Sequence, residues 1–145
     1  MPFRRILVPI NGSADDQRII QLAGLLADRK NADVTLVYVV EVKQELPIDA
    51  ALPQAAAEGE DALQRAEYYA RHKADPKLQR VTTELLQARN IGAAIVDEAI
   101  AREVGLIVMA SRTRVEFGKV TFGETAPYVI RSAPCEVIVV RIAPQ

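Results

Sequence analysis

A chain of 145 residues, half of them hydrophobic and 26% charged, has the balance of an ordinary globular protein and is long enough to bury one proper core. Its 18 basic and 19 acidic side chains leave a net charge of −1, which lacks the basic excess of a non-specific nucleic-acid binder, so no nucleic-acid partner is expected. No stretch approaches the roughly 20 apolar residues of a membrane helix. The opening "MPFRRILVPINGS" has too short an apolar core for a signal peptide, and the only cysteine, Cys135, has no internal partner for a disulfide. A cytoplasmic protein without direct membrane insertion is expected.

In chain order, residues 4–10, "RRILVPI", carry after two arginines a continuous run of apolar, β-favouring side chains that ends in the turn-like Asn11-Gly12-Ser13. Continuous rather than alternating apolarity predicts a strand covered on both faces. Ile19, Leu22, Ala23, Leu26 and Lys30 then recur at helical spacing. Ser13 is the expected N-cap of that helix, and Asp15 and Asp16 complement the positive end of its dipole. Residues 32–42, "ADVTLVYVVEV", predict a second buried strand.

Residues 43–60 carry two prolines and no steady period, and predict a surface loop leading into a helix from about Pro53 to Ala74. "KLQRVTTELLQA" (residues 77–88) suits a third strand. Ile91, Ala94, Ile95, Glu98, Ala99 and Arg102 trace an amphipathic helix. "GLIVMA" (105–110) is a fourth strand, Ala126, Val129, Ile130 and Ala133 form the apolar face of a short last helix, and "EVIVVRI" (136–142) is a fifth strand. Strands rich in valine and isoleucine that alternate with helices predict an α/β fold over residues 1–145. Its core is a five-stranded parallel sheet with helices on both faces, a Rossmann-like three-layer sandwich. Such sheets bind ligands outside the carboxyl ends of their strands, where the strand order reverses. The loops after the first and fourth strands are the two candidates.

Three segments, "ILVPINGS", "ARNIGAAIVDEAIAREVGLIVMASR" and "GETAPYVIRSAPCEVIVV", in this order and spacing, resemble the universal stress protein family over almost the whole chain. The resemblance implies an adenine nucleotide α-hydrolase-like fold and a homodimer formed by pairing last strands. It also implies that some members bind ATP or AMP, whereas others lack the nucleotide motif. The binding branch carries Gly, two residues, Gly, nine residues, then Gly and Ser or Thr. Aligned through "MASR", those positions are Ala110, Thr113, Gly123 and Glu124, of which only Gly123 matches. An Asp expected at the end of the first strand is Asn11. Pro9, Val39 and Met109 fit the family's adenine-pocket positions.

Phosphate-loop glycines allow close backbone approach and positive φ. Ala110 adds one methyl, while Thr113 is β-branched and resists a left-handed conformation. Glu124 brings a carboxylate to the place of a polyphosphate, where like charges repel by about 1 kcal/mol or more. Thr125 is the comfortable N-cap of the last helix, with Pro127 in the first turn where its missing N–H is harmless. Arg112, Arg114 and Lys119 offer positive charge to an anion, or form a solvated loop. Asn11 offers an amide to ribose or adenine, or simply shapes the turn.

No metal site and no catalytic residues are expected. His72 lies near the end of a polar helix without a nucleophile spaced to partner it, and Asp97 and Glu98 point to different faces. Two functions follow from the resemblance and the altered motif. One is a non-catalytic regulatory protein whose degenerate pocket takes ATP, AMP or a related nucleotide and whose loop from Ser111 to Phe122 reorders on binding. The other is a nucleotide-independent interaction module that regulates a partner such as a membrane transporter, with residues 43–60 as its docking segment. The apolar last strand, exposed at a sheet edge, predicts pairing with its twin.

Overall fold

Alternate residues of the first strand enter two different cores, and this is why its apolar run is unbroken. The computed structural model describes residues 3–121 and 123–143, with only the backbone at residues 114, 116, 120 and 121. In it, β1 spans Arg5–Pro9. Ile6 and Val8 pack with Ile19, Ile20 and Ala23 of α1 (Asp15–Leu26) and with Ala62 and Leu63 of α2 (Pro53–Tyr68). Leu7 packs on the opposite face with Ile95, Val96 and Ala99 of α3 (Ile91–Ala101) and with Ala126 and Val129 of α4 (Thr125–Ser132). Successive strand side chains point to opposite faces, so a strand sandwiched between two helical layers has no polar position to fill.

The remaining strands of the sheet are β2 (Asp33–Glu41), β3 (Arg80–Ala88), β4 (Leu106–Arg112) and, after a hairpin, β7 (Glu136–Ile142). They lie in the order β3-β2-β1-β4-β7, and every neighbouring pair is parallel. The chain thus builds outward from β1 through β2 to β3, then returns to the other side of β1 with β4. The strand order reverses between β1 and β4, and both core layers hold the carboxyl ends of these two strands in place. Pro53 opens α2, where its missing N–H costs nothing, and the helix runs on through a π-helical turn at Tyr69–Lys73. Among the described residues, no helix is long and apolar enough to cross a membrane.

Several local expectations need correction. The segment after the fourth strand is not one long loop: β4 continues to Arg112, and β5 (Arg114–Glu116) pairs antiparallel with β6 (Lys119–Thr121). Its turn, Phe117-Gly118, has φ of 52° and 77°, the double positive-φ geometry that matches the twist of a tight hairpin. Phe122 and the Arg114 side chain lie outside the described residues. Thr125 is the first helical residue rather than the cap; Glu124 precedes it, and neither side chain caps the helix. Likewise Ala14, not Ser13, directly precedes α1, though the Ser13 hydroxyl still accepts the Asp15 N–H at 3.2 Å. Ile130 is 60% exposed, and Tyr128 takes its place in the α3–α4 contact, packed against Gly92.

Candidate functional site

The turn after β1 is shaped by its own polar side chains. Gly12 has φ +87°, a conformation that glycine adopts without strain. Asn11 Oδ1 accepts the Ser13 N–H at 2.9 Å. Asp16, on the first turn of α1, reaches back and accepts the N–H of Asn11 at 3.1 Å and of Gly12 at 2.8 Å, one on each carboxylate oxygen. Only 7% of Asp16 is exposed. Burial pushes its carboxyl above the usual carboxylate range; the two amides and then the Arg65 guanidinium pull it back, and Asp15 adds a further upward push. Arg65 itself is held by Asp61 at 2.9 Å and donates to the Gly12 carbonyl at 3.4 Å.

At the end of β4, Arg112 reaches across to α1, and one of its terminal nitrogens donates to both oxygens of Asp15 at 3.0 and 2.9 Å. The next residue turns the other way. Thr113 is 2% exposed, and its N–H and hydroxyl both donate to the Ile142 carbonyl, at 3.0 and 3.2 Å. Its φ is not positive, so the β-branched side chain meets no left-handed strain. Gly123, with φ +74°, brings the chain into α4. The first internal donor of that helix is Tyr128, bonded to the Glu124 carbonyl at 3.2 Å. Pro127 therefore occupies a position whose N–H would have been spare, and the amides of Thr125 and Ala126 are the donors presented by the helix start.

These elements surround a cavity of about 320 Å³ at the carboxyl ends of β1 and β4. Of the residues singled out in the sequence, Pro9, Asn11, Met109, Ala110, Arg112, Gly123, Glu124 and Thr125 line it. Val39 does not; it is half-buried against the core on the α3–α4 side. Thr113 does not either, for the reason just given. Lys119 is exposed on the hairpin. The wall also contains Ile10, Asp16, Ile19, Ile91, Ile95, Ser111 and Ala126, which the sequence reading did not select. The four isoleucines make an apolar lining suited to a flat aromatic base, and Asn11 and the α4 amides lie at its polar side. Its size sits at the small end of the range for small-molecule sites.

The donors available to phosphate are fewer. Asp16 already takes the Asn11 and Gly12 amides, Asp15 takes Arg112 from behind the wall, and Glu124 joins Asp16 as a second carboxylate lining the cavity. The residues therefore fit a nucleobase and ribose better than a polyphosphate chain. Among the described residues, no group of three or more His, Cys, Asp or Glu side chains is placed to hold a metal. His72 is not among the residues lining this cavity and packs against Tyr68, with ring centroids 4.7 Å apart and the planes tilted by 41°. A larger depression of about 590 Å³, lined by Arg4, Arg5, Arg80, Asp33 and Glu103, lies at the amino ends of the strands. It is away from the point where strand order reverses.

The model of the universal stress protein family matches residues 2–141. Universal stress protein MJ0531 of Methanocaldococcus jannaschii is 26% identical, with 96% of this chain and 82% of that protein covered. The solved structure of the universal stress protein UspA from Lactobacillus plantarum is 27% identical and superposes with a TM-score of 0.73, covering 97% and 99% of the two chains. That of the universal stress protein from Archaeoglobus fulgidus in complex with dAMP is 20% identical, with a TM-score of 0.71 and coverage of 97% and 99%. The last likeness is one of fold.

Proposed function

The chain belongs to the universal stress protein family, and from that premise we propose that it is a non-catalytic, cytoplasmic regulatory protein whose cavity between β1 and β4 takes an adenine nucleotide. The observation that carries this reading is the convergence on one cavity of Pro9, Asn11, Met109, Ala110, Gly123 and Thr125 from three separate stretches of sequence. A relative of the same fold is solved with dAMP, a ligand with the same base and a single phosphate. Catalysis is no part of the proposal: Asp16, the buried carboxylate at the cavity, has both oxygens tied to backbone amides, which leaves it poorly placed to activate water.

The test is calorimetry with AMP, dAMP, cyclic AMP and ATP, with GMP as the control base. AMP is expected to bind with a Kd below about 1 mM, a free energy of roughly −4 kcal/mol or better, and GMP to bind more weakly. No binding heat from any adenine nucleotide at that concentration would remove the nucleotide from the proposal.

A second reading, an interaction module that needs no nucleotide, is favoured by the segment between β2 and α2. Arg89 donates to the carbonyls of Lys43 and Leu46 at 2.8 and 2.7 Å, and Gln87 to those of Ile48 and Ala50 at 3.0 and 2.8 Å. These bonds fix the segment against the sheet while Leu46 and Ile48 remain exposed. A protein such as a transporter would be the regulated partner. Stoichiometric capture of one defined protein by nucleotide-free chain, lost on replacing Leu46 and Ile48 with serine, is the outcome that would favour it.

A further inference from the structure

The first turn of α1 places two consecutive carboxylates on the donors that an incoming phosphate would seek. Asp16 accepts the amides of Asn11 and Gly12, and Asp15 accepts two hydrogen bonds from the Arg112 guanidinium. Both acidic residues are largely sheltered, with only 13% of the Asp15 side chain exposed and 7% of Asp16. Glu124 contributes a further carboxylate to the same cavity. Asp16 and Glu124 line the cavity, Asp15 stands behind its one lining guanidinium, Arg112, and Arg65 acts on Asp16 from outside the wall. The cavity is therefore supplied with its own anions before any ligand arrives.

We infer that Asp15 and Asp16 are resident stand-ins for phosphate, and that the site takes adenosine-type ligands carrying no more than one phosphate while rejecting polyphosphates. This rests on the reading of the cavity as an adenine site and adds to it the class of ligand. A nucleoside needs only the apolar isoleucine wall and a few polar partners. A triphosphate must either break the Asp15–Arg112 pair or lie beside Asp16 and Glu124 with its charge unmatched. At separations of a few ångströms, that repulsion translates to a loss of affinity of about tenfold or more.

The experiment measures Kd for adenosine, AMP and ATP without divalent cations, at about 20 and 300 mM salt, on the full chain and on Asp15→Asn. In the natural chain, adenosine is expected to bind at least about tenfold more tightly than ATP at low salt. ATP binding is expected to strengthen as salt rises, because screening relieves the repulsion, whereas binding at a basic phosphate site weakens with salt. Asp15→Asn keeps a hydrogen-bonding oxygen for Arg112 but removes the charge. It should improve ATP affinity by about fivefold or more and leave adenosine within about twofold. Tighter binding of ATP than adenosine, or ATP affinity that falls with salt, would overturn the inference while leaving the adenine reading intact. An unchanged ratio of ATP to adenosine affinity in Asp15→Asn, with an unchanged thermal midpoint to show that the variant folds, would overturn the role of Asp15. If none of the three ligands binds, the adenine reading fails and this inference falls with it.

Discussion

Asp16 joins the fold to the site. Its carboxylate closes the turn that follows β1, so Asp16→Ala leaves two turn amides without their acceptor. The expected cost is about 1–3 kcal/mol, read from urea unfolding, and an unchanged midpoint would contradict it. The pH dependence has a definite sign. The folded-state pKa of Asp16 is raised above its ordinary value of 3.8, chiefly by burial. Its titration therefore favours the folded state below that value, and the contribution is lost as pH rises through the raised pKa. The stability advantage of the natural chain over Asp16→Asn should accordingly be larger near pH 4 than at pH 7, compared by unfolding at both. The sequence shows Asp16 as an acid in a first helical turn, a pattern explained well enough by the helix dipole. That it bends back to Asn11 and Gly12 depends on the positive φ of Gly12, which brings the amides round, and the string alone does not fix that angle. Thr113 is the converse case: chemical type suggested strain, but its φ is not positive, and both its donors go to the carbonyl of Ile142 at the end of β7.

Packing between elements overrides intrinsic preference at Gly59. In an exposed helix interior, glycine to alanine stabilises by about 1 kcal/mol. Here an added methyl would sit 2.6 Å from a Leu85 methyl and 2.7 Å from the Tyr38 ring, where α2 crosses β2 and β3. Gly59→Ala is therefore expected to destabilise by about 1–3 kcal/mol, the range for overpacking, and thermal unfolding distinguishes the two signs. A rise in midpoint would show that the contact relaxes freely. The strands and helices of the main sheet were legible because two-sided burial writes itself as unbroken apolar runs, and single-sided burial as a 3.6-residue period. The β5–β6 hairpin was not, since each arm has three residues, too few to establish a period. Its turn, Phe-Gly, lacks the Asn-Gly or Asp-Gly signal of such hairpins. The carboxyl-end cavity was located in advance by the alternation of strands and helices alone, whereas Val39 was placed there by resemblance and lies outside its wall.

For the molecule as a whole, the sheet has two edges, β3 and β7. Val137, Ile138, Val139 and Val140 of β7 are all only half-buried, and the strand pairs with β4 on one side only. We propose that a second copy covers this edge, strand against strand, as an exposed apolar edge invites. Light scattering across micromolar concentrations is expected to give twice the chain mass, and a constant monomer would contradict it. The fold also separates two kinds of surface. The basic depression at the amino ends of the strands holds Arg4 and Arg80 without an ion-pair partner among the described residues, while the carboxyl ends hold the cavity that carries its own carboxylates. An anion binding without regard to its base would favour the first, and an adenine nucleotide the second. Titration of the isotopically labelled chain with AMP, followed by amide proton–nitrogen spectra, separates them directly. The account predicts saturable shifts at Asn11, Ala110, Gly123 and Thr125. Shifts confined to Arg4, Arg5 and Arg80, or none at all at millimolar AMP, would contradict it.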